Sequence, residues 1–176
     1  FIQTNPADAG RYVNTASHFM WDPEMGGNYG TYRCQIRGPR LLGFNPEPNQ
    51  TGWKMLKAAE KRGEKSVKIS CVLGQDPVVW FISGTRVANR FSGKPVDELA
   101  LAGGFRGKPV EVVKSETNEL MVPAHAEMVI EGEVPLDEPL LPEGPFGEMF
   151  GYLGPRKEGN YFIRITASTH RRDPWT

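Results

Sequence analysis

Cysteine is scarce in this sequence. Cys34 and Cys71 stand apart, with no CxxC pair and no metal-type cluster. A disulfide framework or thiolate centre is therefore not what organises the chain. Both thiols are expected to pack as small hydrophobes in a reducing, cytoplasmic setting. Histidine is also rare, and His18, His125 and His170 read as structural or surface residues. No apolar run approaches the ~18 residues of a membrane-crossing helix, and no signal peptide is visible. No charge of one sign dominates. The 21 basic and 21 acidic residues cancel, so neither a nucleic-acid footprint nor an electrostatic membrane anchor is suggested. Repeats and low-complexity stretches are missing. The opening FIQTNPADAG lacks an initiator Met, which leads to the expectation of a fragment of something longer.

What the chain has in quantity is punctuation. Twenty glycines and fifteen prolines divide its 176 residues into short segments, a length suited to one domain spanning 1–176. RYVNTASHFMW and TYRCQI read as strands separated by a GGNYG turn. QTGWKMLKAAEKRG, from Gln50 to Gly63, reads as a helix with Trp53, Met55 and Leu56 among Lys and Glu and a closing glycine. SVKISCVLG and PVVWFISG read as two β-rich runs split by Gly-Gln-Asp-Pro. PVDELALAGGF is a short helix with Pro95 at its first turn. PVEVVKSET, HAEMVIEGEV and NYFIRITAST supply further strands, and alternation from Glu127 to Glu131 marks a half-exposed one. An α+β domain on a β-barrel or strongly bent sheet, carrying at least two helices, fits this order better than a parallel βαβ array.

Four clusters carry possible chemistry. In NYGTYR (28–33), glycine lets backbone N–H groups approach an anion, and the Asn28 oxygen suits a hard cation. A hairpin turn with an exposed arginine explains the same residues. In PEPNQTGW, Asn49 and Gln50 stand at a helix start, and capping accounts for both. Glu98 stands in a first helical turn, where a carboxylate complements the dipole. The sharpest signal is EGPFGE, in which Glu143 and Glu148 bracket the tight turn Gly-Pro-Phe-Gly. A carboxylate beside an aromatic in a dry pocket can deliver a proton near neutral pH, while a second one paired to an arginine orients that arginine.

Taken together, NYGTYR, the helix after PNQ, WFISG, the run DELALAGGFRGKPVEVVKSETNELMVPAHAEMVIEG and EGPFGEMFGY resemble the UbiD family of prenylated-FMN-dependent decarboxylases and carboxylases. The resemblance extends from about Gly10 to Arg172 and is densest in ETNELMVPA and EGPFGEM. It implies a split β-barrel like that of flavin reductases, forming the central flavin-binding part of a longer chain. It also implies reversible decarboxylation of aromatic or α,β-unsaturated acids through a covalent adduct with prenylated FMN. Arg33 matches the arginine of the family's Glu-Arg-Glu network, Glu143 its orienting partner and Glu148 the proton donor and acceptor. Asn28 and Glu98 match two ligands of a manganese or magnesium ion bridging to the cofactor phosphate. Gln50, preceded by Asn49, stands where the best-known members have a histidine ligand. Tyr29, Gly30, Thr31, Tyr32 and Arg33, with Ser83, Gly84 and Thr85, match the segments that wrap the flavin and bind a potassium ion. Gly30 replaces a phosphate-binding serine of some members. The family further implies a small carboxylic acid substrate and a homo-oligomer or multi-subunit complex. An alternative is a non-catalytic flavin-binding or assembly module, which the substitution at Gln50 favours.

Overall fold

The structure, a computed structural model, describes residue 3, residues 5–85 and residues 97–175. Along the chain come β1 (Tyr12–Val13), β2 (Ser17–Asp22), β3 (Gly26–Thr31), β4 (Cys34–Gly38), β5 (Leu41–Phe44), α1 (Thr51–Arg62), β6 (Ser66–Leu73), α2 (Pro77–Ser83) and α3 (Glu98–Arg106). They are followed by β7 (Val112–Lys114), β8 (Met121–Pro123), β9 (Met128–Pro135), β10 (Leu141–Glu143), β11 (Phe146–Gly147), β12 (Leu153–Gly154) and β13 (Lys157–His170). The main sheet runs β1-β4-β5-β13-β9-β6-β2-β3, with β10 also on β13. Its pairs are antiparallel.

The 14-residue β13 joins the two parts of the main sheet. It pairs β5 over Tyr161–Arg164, then β9 from Arg164 onward, with an irregularity between Ile165 and Ala167. Opposite the crossover, Gly132 has to be glycine, because a Cβ there would lie 2.3 Å from the Arg164 carbonyl oxygen.

Apolar side chains divide the molecule into two cores. Met55, Leu56 and Ala59 of α1 pack with Met20, Phe44, Ile69 and Ile163 of the sheet. Their i, i+1, i+4 spacing is one face of a helix, and each fully buried side chain of this size contributes about 1.5–3 kcal/mol. Val79 and Ile82 of α2 and Leu99 and Ala102 of α3 pack with Tyr29, Val72 and Val122 in the second core. Helix α1 ends where read, on Gly63 at φ 78°, with Lys61 and Arg62 at the negative end of its dipole.

Two segments differ from their reading in the sequence. PVVWFISG is the helix α2, not a strand. The β-branched and aromatic residues obscure a start signal: Asp76 accepts from the Val78 N–H, and Pro77 occupies the first turn. Val79, Ile82 and Ser83 are buried at helical spacing. GGNYG is mostly strand, β3, and the turn falls earlier, where the Asp22 carboxylate accepts from the N–H groups of Glu24 and Met25. The α3 helix starts at Glu98, capped by Asp97; Pro95 lies outside the described residues. Glu131 of β9 is buried rather than half-exposed. Its carboxylate accepts from Glu116 N, Thr117 N and Thr117 Oγ1 at 2.6–2.8 Å, anchoring the SET loop.

Cys34 and Cys71 are buried free thiols, as read. His18, completely buried, places Nε2 3.1 Å from Cys34 Sγ, beside Tyr32 and Phe44. Burial lowers its pKa from the ordinary 6.5 to about 4. The unfolded chain therefore takes up a proton here at a pH where the fold refuses it. Stability from this group is full above pH 6.5 and is lost as pH falls towards 4, by about 3 kcal/mol. Chemical denaturation at pH 7 and pH 4 checks this. The acid-induced loss should shrink by that amount in His18→Asn, and equal losses in both proteins would exclude His18 as its source.

Candidate active site

Arg33 follows β3 and reaches across to Glu143 at the end of β10 and Glu148 just after β11. Its Nε and NH2 donate to the two oxygens of Glu143 at 3.0 and 2.8 Å, and NH1 donates to Glu148 Oε1 at 2.6 Å. The three side chains read from NYGTYR and EGPFGE thus form one acid–cation–acid cluster. Burial, which opposes the charge, is outweighed by the two carboxylates, so the Arg33 pKa is raised. The partners are unequal. Glu143 is 2% exposed and spends both oxygens on the arginine, whereas Glu148 is 28% exposed and spends one. Phe146 lies under the guanidinium, 4.7 Å from Cζ, and Tyr12 packs on Phe146 with ring centroids 4.5 Å apart. Arg37 donates to the Pro142 carbonyl beside Glu143. Burial and the nearby Glu143 push the Tyr12 hydroxyl above the ordinary tyrosine range.

A cleft of about 360 Å³ is lined by Asn28 to Tyr32, Asn49 to Thr51, Lys54, Ser83 to Thr85 and Glu98. Every cofactor and metal residue read from the sequence except Arg33 is therefore on this one surface. The topology explains the convergence. β3 is an edge strand, so it has backbone groups free to meet a ligand. The N-termini of α1 and α3 reach the same place, and their dipoles, with Lys54, favour an anion. α2 ends there at Ser83, presenting the end of a dipole that favours a cation. Ser83 Oγ is fixed by Ser17 (2.5 Å), Thr31 (2.9 Å) and the Trp80 carbonyl (2.7 Å).

Asn49 and Gln50 do not cap α1, contrary to the capping reading. Gln50 makes no side-chain cap bond, and its Oε1 accepts from Glu47 N at 2.6 Å, while Asn49 adopts φ +73°. The capping partner is Tyr32, whose hydroxyl accepts from Gly52 N at 3.0 Å and Asn28 Nδ2 at 3.2 Å. Gly30 fits this arrangement, since a Cβ there would meet the Tyr32 ring at 2.8 Å.

The donor set suits a hard cation. Asn28, Gln50 and Glu98 offer oxygen ligands, and burial raises the Glu98 carboxyl pKa, with its own backbone N–H and that of Tyr29, at 3.3 Å, donating to it. A divalent ion would compensate that carboxylate. Asn28 and Glu98 fit such an ion directly; Gln50 fits with the lone pair that Glu47 N leaves. Among the described residues there is no cluster of three His, Cys, Asp or Glu, and none of this is thiolate or imidazole chemistry. His125 pairs with Glu111 on the surface, and His170 bonds the Arg171 carbonyl. Lys54 and Thr51 were missed in the sequence. A lysine one turn after PNQ is a signal for an anion site that could have been used.

Comparison with known proteins places this geometry in two steps. The flavoredoxin of Desulfovibrio vulgaris (Miyazaki F) superposes with a TM-score of 0.57 at 11% identity, over 98% of this chain and 78% of that one. The fold is thus the α+β split barrel of flavin-reductase-like proteins. The 3-octaprenyl-4-hydroxybenzoate carboxy-lyase Rift-related domain family, UbiD, matches residues 1–176, and the chain belongs to it. Phenolic acid decarboxylase of Bacillus subtilis (strain 168) is 36% identical over 98% of this chain and 36% of its own length. An evolved dimeric form of the UbiD-class enzyme HmfF from Pelotomaculum thermopropionicum, in complex with prFMN, superposes with a TM-score of 0.86 at 36% identity, over 98% of this chain and 38% of that one. The closed form of vanillic acid decarboxylase from Sedimentibacter hydroxybenzoicus gives 0.89 at 30% identity, over 98% and 36%. The chain spans about a third of the length of the curated relatives it matches. Among the described residues, no helix is long and apolar enough to cross a membrane.

Proposed function

We propose that this chain is the central cofactor-binding domain of a longer UbiD-type enzyme, cytoplasmic, that reversibly decarboxylates an aromatic or α,β-unsaturated acid with prenylated FMN. The observation that carries it is the bridging of Glu143 and Glu148 by Arg33. When bound, prenylated FMN supplies an electron sink for the carbon that exchanges CO₂. The walls of the cleft from Asn28 to Tyr32, with Asn49, Gln50 and Ser83 to Thr85, would hold it. Lys54 and the start of α1 would face its phosphate, with manganese or magnesium on Asn28, Gln50 and Glu98 and a potassium ion beside the end of α2.

The residues divide the remaining work. Three of the five Arg33 N–H hydrogens go to the two glutamates. One is left on each terminal nitrogen, a geometry that can orient a substrate carboxylate. Glu143, buried and doubly bonded, keeps the guanidinium in place. Glu148, with its second oxygen uncommitted to the arginine, gives a proton to the carbon as CO₂ leaves and takes one in the carboxylation direction. Exposed Trp80, Phe81 and Phe105 on α2 and α3 accord with burial in an oligomer or multi-subunit complex.

Mass analysis of the chromophore extracted from the full-length protein, with CO₂ release assayed on a panel of aromatic and α,β-unsaturated acids, tests the reading. Stoichiometric prenylated FMN and release from at least one acid is the expected result. A protein that stays colourless after anaerobic reconstitution and releases no CO₂ would leave the non-catalytic assembly module in its place.

A further inference from the structure

The turn that carries the two glutamates is braced from outside by a segment remote in sequence. β11 and β12 pair through Phe146↔Gly154 and Gly147↔Leu153, and Glu148 N donates across this hairpin to the Tyr152 carbonyl at 2.8 Å. Neighbouring N–H groups on a strand point in opposite directions, so the Gly147 N–H is turned away from the hairpin. It meets Asp8 Oδ1 at 2.6 Å. The other oxygen of Asp8 accepts from Asn5 N at 3.0 Å, closing a compact loop. A second tie runs from Ala9 N to the Pro145 carbonyl at 2.9 Å. The surfaces are in tight contact, since a Cβ on Gly147 would lie 2.9 Å from Asn5 Cβ. Asp8 is 8% exposed.

We propose that Asp8 is a positioning residue, whose carboxylate, through the Gly147 N–H, fixes where Glu148 meets Arg33. This rests on the decarboxylase reading. Asp8 is not among the residues that line the cleft. Its effect is to hold the Phe146–Gly147 peptide, one step before the amide of Glu148, whose side chain has one bonded oxygen and would otherwise be free to swing from the arginine. A charge-assisted bond to a half-buried amide is among the stronger local restraints available, and an error of about 1 Å in the placement of a reacting group is enough to cost orders of magnitude in rate.

The test uses the full-length, cofactor-loaded enzyme with three variants: Asp8→Ala, Asp8→Asn and, as reference, Glu148→Gln. Asp8→Ala should lower kcat by roughly tenfold to a hundredfold with KM and cofactor occupancy unchanged, and should displace the kcat–pH profile, because Glu148 then sits differently on Arg33. Asp8→Asn keeps an oxygen for the Gly147 N–H and should recover most of the rate and the wild-type profile. Asp8→Ala with wild-type kcat and profile, beside an inactive Glu148→Gln, would overturn the positioning role alone. So would a loss in Asp8→Ala that follows cofactor occupancy or folded fraction with an unmoved profile. A fully active Glu148→Gln would instead overturn the decarboxylase reading on which the role rests.

Discussion

Glu148→Gln in the full-length protein is expected, on the proposed decarboxylase function, to reduce turnover by roughly a thousandfold or more, and to abolish solvent-deuterium exchange at the reacting carbon, while cofactor stays bound. General acid–base catalysis is commonly worth 10²–10⁴-fold, and the other carboxylate of the cluster cannot readily stand in. Glu143 has both oxygens on the arginine, at 3.0 and 2.8 Å, and is sealed from solvent. Glutamine is the appropriate replacement because its amide oxygen can still accept from Arg33 NH1, the 2.6 Å contact. The cluster would then keep its shape and lose its exchangeable proton. Measurement of CO₂ release and deuterium incorporation on the same reconstituted sample separates the chemistry from cofactor loss. Activity within tenfold of the parent would remove Glu148 from the proton-transfer role.

How much of this was legible beforehand depends on whether the information was local. α1 could be read because its apolar spacing and terminal glycine are local. α2 was misread because VVWFI is strand composition, and the deciding feature was the Asp76–Pro77 start. The meeting of Arg33 with Glu143 and Glu148, 110 and 115 residues away, follows from no spacing rule; it was expected through resemblance. The same holds for the cleft, whose walls come from β3 and the ends of three helices. What resemblance did not supply were the supporting contacts. Tyr32 was read as a flavin contact, yet its hydroxyl also caps α1 and holds Asn28. Glu131 looked like the exposed member of an alternating strand, yet it anchors a loop whose N–H groups lie 14 and 15 residues away. A carboxylate that serves distant backbone amides has no signature in its own neighbourhood.

The second large effect concerns stability, and Arg33→Met isolates it. Methionine fills much of the arginine's volume and keeps contact with Phe146, but removes the charge. Glu143, 2% exposed, would then be a buried carboxylate without its two donors. Removing one partner of such a pair costs roughly 3–5 kcal/mol, because the charge left behind has neither water nor a counterion. Glu148 should matter far less, since at 28% exposure it can turn to solvent. The double variant Arg33→Met, Glu143→Gln should therefore recover most of the lost stability while remaining inactive, and Arg33→Met, Glu148→Gln should recover little. Urea denaturation of the four proteins gives the result, with the folding penalty separated from the catalytic one because the rescue acts on the first alone. If both double variants are as unstable as Arg33→Met, the buried charge is not what the arginine neutralises, and the doubly hydrogen-bonded pair with Glu143 holds no more of the fold than its partner.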